Sequence, residues 1–202
     1  MTVELESQPL ETQFASRKLR LGVMCSGNGS NFENIVRSCR EDEVVLMIYN
    51  KKHCGARKRA NKLGIPHCHI KSAHEDDIIK LFKAYNVDLI VLAGWMRIVS
   101  PKLIDAFPDR MINLHPSLLP KYKGLHAVEQ AMESGDEVTG CTVHYVNEEL
   151  DGGEIIKQGE VPIMPDDTVE SLTKAIQRME YAILPAAIET LLVKPKELEA
   201  VR

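Results

Sequence analysis

The chain has 202 residues, with 44% hydrophobic and 27% charged side chains, which supports a sizeable core and excludes global disorder. Twenty-five basic against 29 acidic residues leave a formal charge of −4, without the basic footprint of a dedicated nucleic-acid binder. No apolar run approaches the roughly 18 residues of a membrane-spanning helix, and the opening MTVELESQPLETQFASRK has the character of neither a secretory signal nor a transit peptide, so a cytoplasmic protein is expected.

Residues 1–19 are polar and aperiodic and read as a flexible tail, followed by one domain over 20–202. The apolar run Leu21 to Cys25 predicts a strand, which meets a glycine-rich turn and then a helix from Asn31 to Arg40. A second strand, Val44 to Tyr49, leads into a basic helix over Gly55 to Leu63, stopped by Gly64 and Pro66. A short strand, His67 to Ile70, precedes a helix from Glu75 to Tyr85. Val87 to Ala93 is then apolar throughout after its aspartate, as in a strand covered on both faces. Arg110 to His115 is a strand ended by Pro116. Val138 to Val146 and Glu154 to Ile163 read as a hairpin or antiparallel arm. A last helix, Thr168 to Leu192, follows the capping residues Asp166 and Asp167 and should kink at Pro185. Alternating strands and helices predict a Rossmann-like α/β fold. Its open, mostly parallel sheet is flanked by helices and carries an antiparallel extension in the C-terminal half.

Five scattered cysteines with no C-x-x-C pair offer neither a disulfide framework nor a zinc site. In His67-Cys68-His69, strand alternation puts the cysteine opposite the two histidines, so no metal is expected there. The basic run Lys51, Lys52, Arg57, Lys58, Arg59, Lys62 has no interleaved aromatics and reads as a solvated helix face.

Three motifs carry chemistry. Ser26-Gly-Asn-Gly-Ser-Asn31 lies between a strand and a helix, where glycines admit close approach and the helix N-terminus attracts an anion. Phe32 stands where the dinucleotide fingerprint needs a third glycine, and no Gly-Lys-Ser/Thr follows, so either a single phosphate group or an unliganded turn fits. Close approach at Gly29 would make Gly29→Ala a probe of phosphate binding.

Asn113 and His115 share one face at a strand end, locked by Pro116. An amide beside an imidazole suits reaction at a carbonyl, with oxyanion stabilisation and proton transfer near neutral pH. Asp151, before Gly152 and Gly153 on a tight loop, is placed to orient the histidine. In the last helix Val169, Leu172, Ile176, Met179 and Ile183 form the apolar stripe. Glu180 lies about 60° from its centre, turned partly inward, with Gln177 one turn back.

Together with Leu92-Ala-Gly-Trp-Met-Arg-Ile-Val99, Asn113 to Pro120, Lys121-Tyr-Lys-Gly-Leu-His126 and Glu149-Leu-Asp-Gly-Gly153, these motifs resemble the phosphoribosylglycinamide formyltransferases of the folate-dependent formyltransferase superfamily. The resemblance runs from Arg20 to Leu192. It implies that Gly29, Ser30 and Asn31 hold the phosphate of glycinamide ribonucleotide, with Gln177 and Glu180 on the same side. It implies a folate pocket lined by Met96, Arg97, Ile98, Val99, Asn113, Asn147, Glu148, Glu149, Leu150 and Asp151, and a catalytic trio of Asn113, His115 and Asp151. The implied reaction moves a formyl group from the co-substrate 10-formyltetrahydrofolate to the ribonucleotide amine in de novo purine (IMP) biosynthesis, without a metal. The implied partners are these two small molecules, with no nucleic acid or membrane, in a monomer or homodimer.

Two departures stand out: Lys71 to Asp77 lacks a Ser-Arg-Glu pattern associated with folate contact, and Trp95 replaces a usual phenylalanine. The alternatives are a formyltetrahydrofolate deformylase-type hydrolase and a nonenzymatic ligand-binding domain. The first usually adds an N-terminal domain, for which about 19 residues leave no room; retention of the trio speaks against the second.

Overall fold

The computed structural model describes residues 18–40 and 42–193. The elements run β1 (Arg20–Cys25), α1 (Ser30–Ser38), β2 (Glu43–Tyr49), α2 (Gly55–Leu63), β3 (His67–His69), α3 (Glu75–Ala84), β4 (Leu89–Leu92), α4 (Pro101–Ala106), β5 (Met111–His115), α5 (Ala127–Glu133), β6 (Val138–Tyr145), β7 (Ile155–Pro162) and α6 (Val169–Val193). All seven strands form one sheet in the order β3-β2-β1-β4-β5-β6-β7. The first five are parallel, while β6 and β7 are antiparallel to their neighbours. The expected antiparallel arm is therefore part of the sheet itself.

The sheet separates two apolar layers. On one face Leu21, Val23 and Cys25 pack with Phe32 and Ile35 of α1, Ala56 and Ala60 of α2, and Leu172, Ile176 and Ile183 of α6. On the other Met24 and Ile90 meet Ile78 and Phe82 of α3 and Leu103 of α4. Val169, expected in the apolar stripe of α6, is instead 40% exposed because it opens the helix beyond the sheet edge.

Two short helices escaped the sequence reading. α4 is announced by Ser100, whose Oγ accepts the Leu103 N–H, and by Pro101 in its first turn. α5 is built from the helix-favouring run Ala127-Val-Glu-Gln-Ala-Met-Glu133.

α6 runs on through Pro185. Proline removes the donor that would satisfy the Tyr181 carbonyl four residues earlier. The side-chain amide of Asn34 on α1 donates to that carbonyl at 2.9 Å instead. One turn of α1 away, the Asn31 amide donates to Glu180 at 2.8 Å, so the proline gap is where α1 and α6 are clasped.

The chain moves outward from β1 through β2 to β3, then returns to place β4 on the other side of β1. Open α/β sheets form a crevice at such a reversal, outside the carboxyl ends of the strands. Here it is bracketed by the turns after β1 and β4, tied together where Ser26 N–H donates to the Gly94 carbonyl at 3.0 Å and Met96 N–H donates to Ser26 Oγ at 2.8 Å.

Candidate active site

The turn after β1 ends in Gly29, at φ 75°, which caps α1 without any side-chain hydrogen bond to the helix start. The first N–H groups of α1 are thus left for an anion. At this helix start the Asn31 side-chain amide nitrogen is committed to Glu180, while its Oδ1 is buried without a hydrogen-bond partner. Glu180 is 7% exposed, as its inward position predicted. Burial pushes its carboxyl above the ordinary value of 4.5, against the opposing Asn31 hydrogen bond. A raised folded-state value means that stability is fully present below pH 4.5 and is lost as the pH rises through the folded value. Glu180→Gln should therefore match the parent at acid pH and be the more stable above it, read as thermal melting across pH. A constant difference at every pH would contradict this.

Gly29 departs from the sequence expectation. A Cβ there would lie 2.6 Å from Ala56 Cα, against the backbone of α2, on top of the unfavourable φ. Gly29→Ala is expected to cost roughly 2–4 kcal/mol of stability, so it tests helix packing as much as phosphate approach. At Gly27 a Cβ meets nothing within 4 Å. Gly27→Ala should stay within about 0.5 kcal/mol of the parent in urea unfolding. It should raise KM for a phosphorylated substrate alone; an equal rise for both substrates would remove the phosphate from this turn.

The second group sits across the crevice, at the end of β5. Register places Asn113 opposite His144 and His115 opposite Thr142 on β6. Asp151 comes from the β6–β7 loop at φ 49°, a conformation aspartate tolerates better than most residues. The loop is held close by Gly153, where any Cβ would collide with the Tyr145 carbonyl at 1.7 Å.

His115 is 5% exposed. Its Nε2 lies 2.8 Å from the Tyr122 carbonyl, which only a protonated nitrogen can satisfy. Its Nδ1 faces Asp151 Oδ2 at 3.4 Å. The Asn113 amide nitrogen is 3.2 Å from His144 Nε2 and 3.5 Å from Asp151 Oδ1. His144 Nδ1 donates to the Tyr145 carbonyl at 2.8 Å, and its Nε2 also lies 3.6 Å from Asp151 Oδ1. Burial opposes ionisation of Asp151, but the His144 contact, the Gly124 N–H at 2.8 Å and the two histidine charges hold its carboxyl below the usual range. His144 was missed in the sequence reading. The alternation of β6 puts Thr142 and His144 on one face, and only the pairing with β5 brings that face to Asn113.

The two sides are bridged by β4, whose Leu92 pairs with Asn113. Beyond it Met96 and Ile98 are 57% and 80% exposed, and Leu150, beside Asp151, is 53% exposed. Exposed apolar side chains rimming polar groups mark a ligand surface. Arg97, Asn147, Glu148 and Glu149 are also exposed along this rim, Glu149 paired with Lys123 at 2.7 Å. Val99 is turned away into the core, and Gln177 is half-buried on α6 one turn before Glu180. The described residues contain no group of histidine, cysteine and acidic side chains able to hold a metal ion.

The geometry is that of an α/β crevice with an uncapped helix start on one side and an amide, imidazole and carboxylate cluster on the other. Residues 19–188 match the formyl transferase family, and the chain belongs to it. It is 40% identical to the phosphoribosylglycinamide formyltransferase of Escherichia coli (strain K12), over 84% of this chain and 85% of that protein. It is 39% identical to the trifunctional purine biosynthetic protein adenosine-3 of Drosophila melanogaster, over 90% of this chain but only 14% of that much longer protein. The crystal structure of phosphoribosylglycinamide formyltransferase from Anaplasma phagocytophilum superposes with a TM-score of 0.85 at 37% identity, covering 87% of this chain and 88% of that one.

Proposed function

We infer that this chain transfers a formyl group from 10-formyltetrahydrofolate to the primary amine of glycinamide ribonucleotide, giving the N-formyl ribonucleotide and tetrahydrofolate, as a cytosolic step of purine biosynthesis. The observation that carries the reading is the convergence of Asn113, His115 and Asp151 at one strand end, across the crevice from the open start of α1. The named relatives favour the transferase over the deformylase alternative.

In this mechanism the amine nitrogen attacks the formyl carbon, and the carbonyl electron pair moves onto oxygen. The Asn113 amide exchanges its long 3.5 Å contact with Asp151 for that oxygen, and a proton on His115 supports the same charge. Collapse breaks the bond to the folate nitrogen, which takes the His115 proton, and the proton lost by the amine then restores it on the imidazole. A covalent enzyme intermediate is not required. Cys25, at the end of β1, is fully buried, and burial, reinforced by Cys54, pushes its thiol up so that no thiolate nucleophile forms. Met96, Ile98 and Leu150 would pack the flat apolar part of the folate, and the backbone of residues 29–31 would hold the ribonucleotide phosphate.

The deciding experiment follows tetrahydrofolate release with and without glycinamide ribonucleotide. Release that requires the amine is expected. Equal release without it would make the chain a hydrolase, and no release in either case would make it a binding domain.

A further inference from the structure

Asp136 lies on the turn between α5 and β6, outside the catalytic cluster. Its own N–H is held by Ser134 Oγ at 3.1 Å, which fixes the turn. Its Oδ2 accepts from Tyr122 Oη at 2.5 Å and from Lys121 Nζ at 2.6 Å. The Lys121 hydrogen bond and then that of Tyr122 hold the Asp136 carboxyl below its usual range, and Asp136 in turn raises the Lys121 ammonium. Both bonds are charge-assisted, that of Tyr122 part-buried and that of Lys121 exposed to solvent.

The segment they grip serves both catalytic side chains. The Tyr122 carbonyl receives the His115 Nε2 proton at 2.8 Å, and two residues on, the Gly124 N–H donates to Asp151 Oδ2 at 2.8 Å. Tyr122 itself sits at φ 57°, a left-handed conformation that a bulky aromatic residue holds only when its surroundings impose it. Buried Ser117 donates to the Lys121 carbonyl at 2.6 Å and reaches the Tyr122 carbonyl only at a long 3.5 Å. The hydroxyl of the Tyr122 ring ends on Asp136.

We propose that Asp136 is a positioning residue for the reaction inferred above: by anchoring Tyr122 and Lys121 it aims the Tyr122 carbonyl at His115 and the Gly124 N–H at Asp151. The proposal rests on the assignment of His115 and Asp151. With the anchor gone, Tyr122 can relax from its left-handed conformation, its carbonyl turns away, and the imidazole loses the contact that sets which nitrogen faces Asp151. Misplacement by about 1 Å is enough to cost up to a hundredfold in rate without loss of binding.

Steady-state kinetics on Asp136→Ala, Asp136→Asn and Tyr122→Phe test it, with the imidazole resonances of His115 followed by NMR. Asp136→Ala and Tyr122→Phe should each lower kcat about 10- to 30-fold with both KM values within about twofold, and both should move the His115 signals. Asp136→Asn keeps an acceptor for the tyrosine hydroxyl and should recover most of the rate. Tyr122→Phe deletes one hydroxyl and decides the matter if Asp136→Ala folds poorly. Rates within about twofold of the parent, or His115 signals unmoved in Tyr122→Phe, would overturn the proposal. If the parent itself formylates no glycinamide ribonucleotide, the inferred function fails, and the His115 signals alone then decide whether Asp136 sets the imidazole.

Discussion

His115→Ala is expected to lower kcat about a thousandfold, within the 10²–10⁴ that one positioned acid–base group contributes. The imidazole faces two acceptors, the Tyr122 carbonyl and Asp151, and stands on the strand end where the formyl oxygen would develop charge. Nothing else in the cluster replaces it: His144 is tied at Nδ1 to the Tyr145 carbonyl and at Nε2 to Asn113. Binding should change little, because the helix start proposed for the phosphate is carried by β1 and α1, and the apolar rim proposed for the folate by the segment after β4 and by Leu150. The truncation leaves the part-buried Tyr122 carbonyl with only the long 3.5 Å contact from Ser117 Oγ and costs roughly 1–3 kcal/mol of stability, so assays belong well below the melting transition. Single-turnover formyl transfer together with calorimetric affinities for each substrate makes the measurement. A kcat within tenfold of the parent would remove His115 from the chemistry, while a loss confined to KM would make it a binding residue.

The ease of reading this fold follows from its periodicities. β1, β2 and β4 are buried strands between covering helices, so each shows as an apolar run bounded by glycine, proline or a charged segment. α4 and α5 are only six and seven residues long, too short to establish a helical stripe, and their caps were the available signals. Asn113 and His115 were legible because two residues on one strand share a face whatever the rest of the chain does. His144 was not, because its proximity to Asn113 depends on the register between β5 and β6, which no local pattern encodes. The same holds for Asp136, which lies 14 residues from Tyr122 and meets it only in the folded chain. The hazard at Gly29 has the same origin: its flexibility is visible in the turn, but the neighbour at Ala56 belongs to another helix. Pro185 supplies the converse case. Its lost hydrogen bond is a local certainty, yet the donor that restores it comes from Asn34, more than 100 residues away.

Asp151→Asn is expected to lower kcat by roughly a hundredfold with both substrate affinities nearly unchanged. Asparagine has almost the shape of aspartate, tolerates φ 49°, and keeps a carbonyl oxygen for the Gly124 N–H. The substitution therefore removes the charge and leaves the loop. In the parent that charge is secure. A depressed carboxyl contributes fully above its ordinary value of 3.8, and the contribution is lost only as the pH falls through the lower folded value. Between about pH 6 and pH 9 the carboxylate itself does not titrate, so any pH dependence of kcat across that range comes from another group. A kcat within about threefold of the parent would reduce Asp151 to a turn residue, and the proton carried by His115 would then have to be balanced by something other than the carboxylate 3.4 Å away.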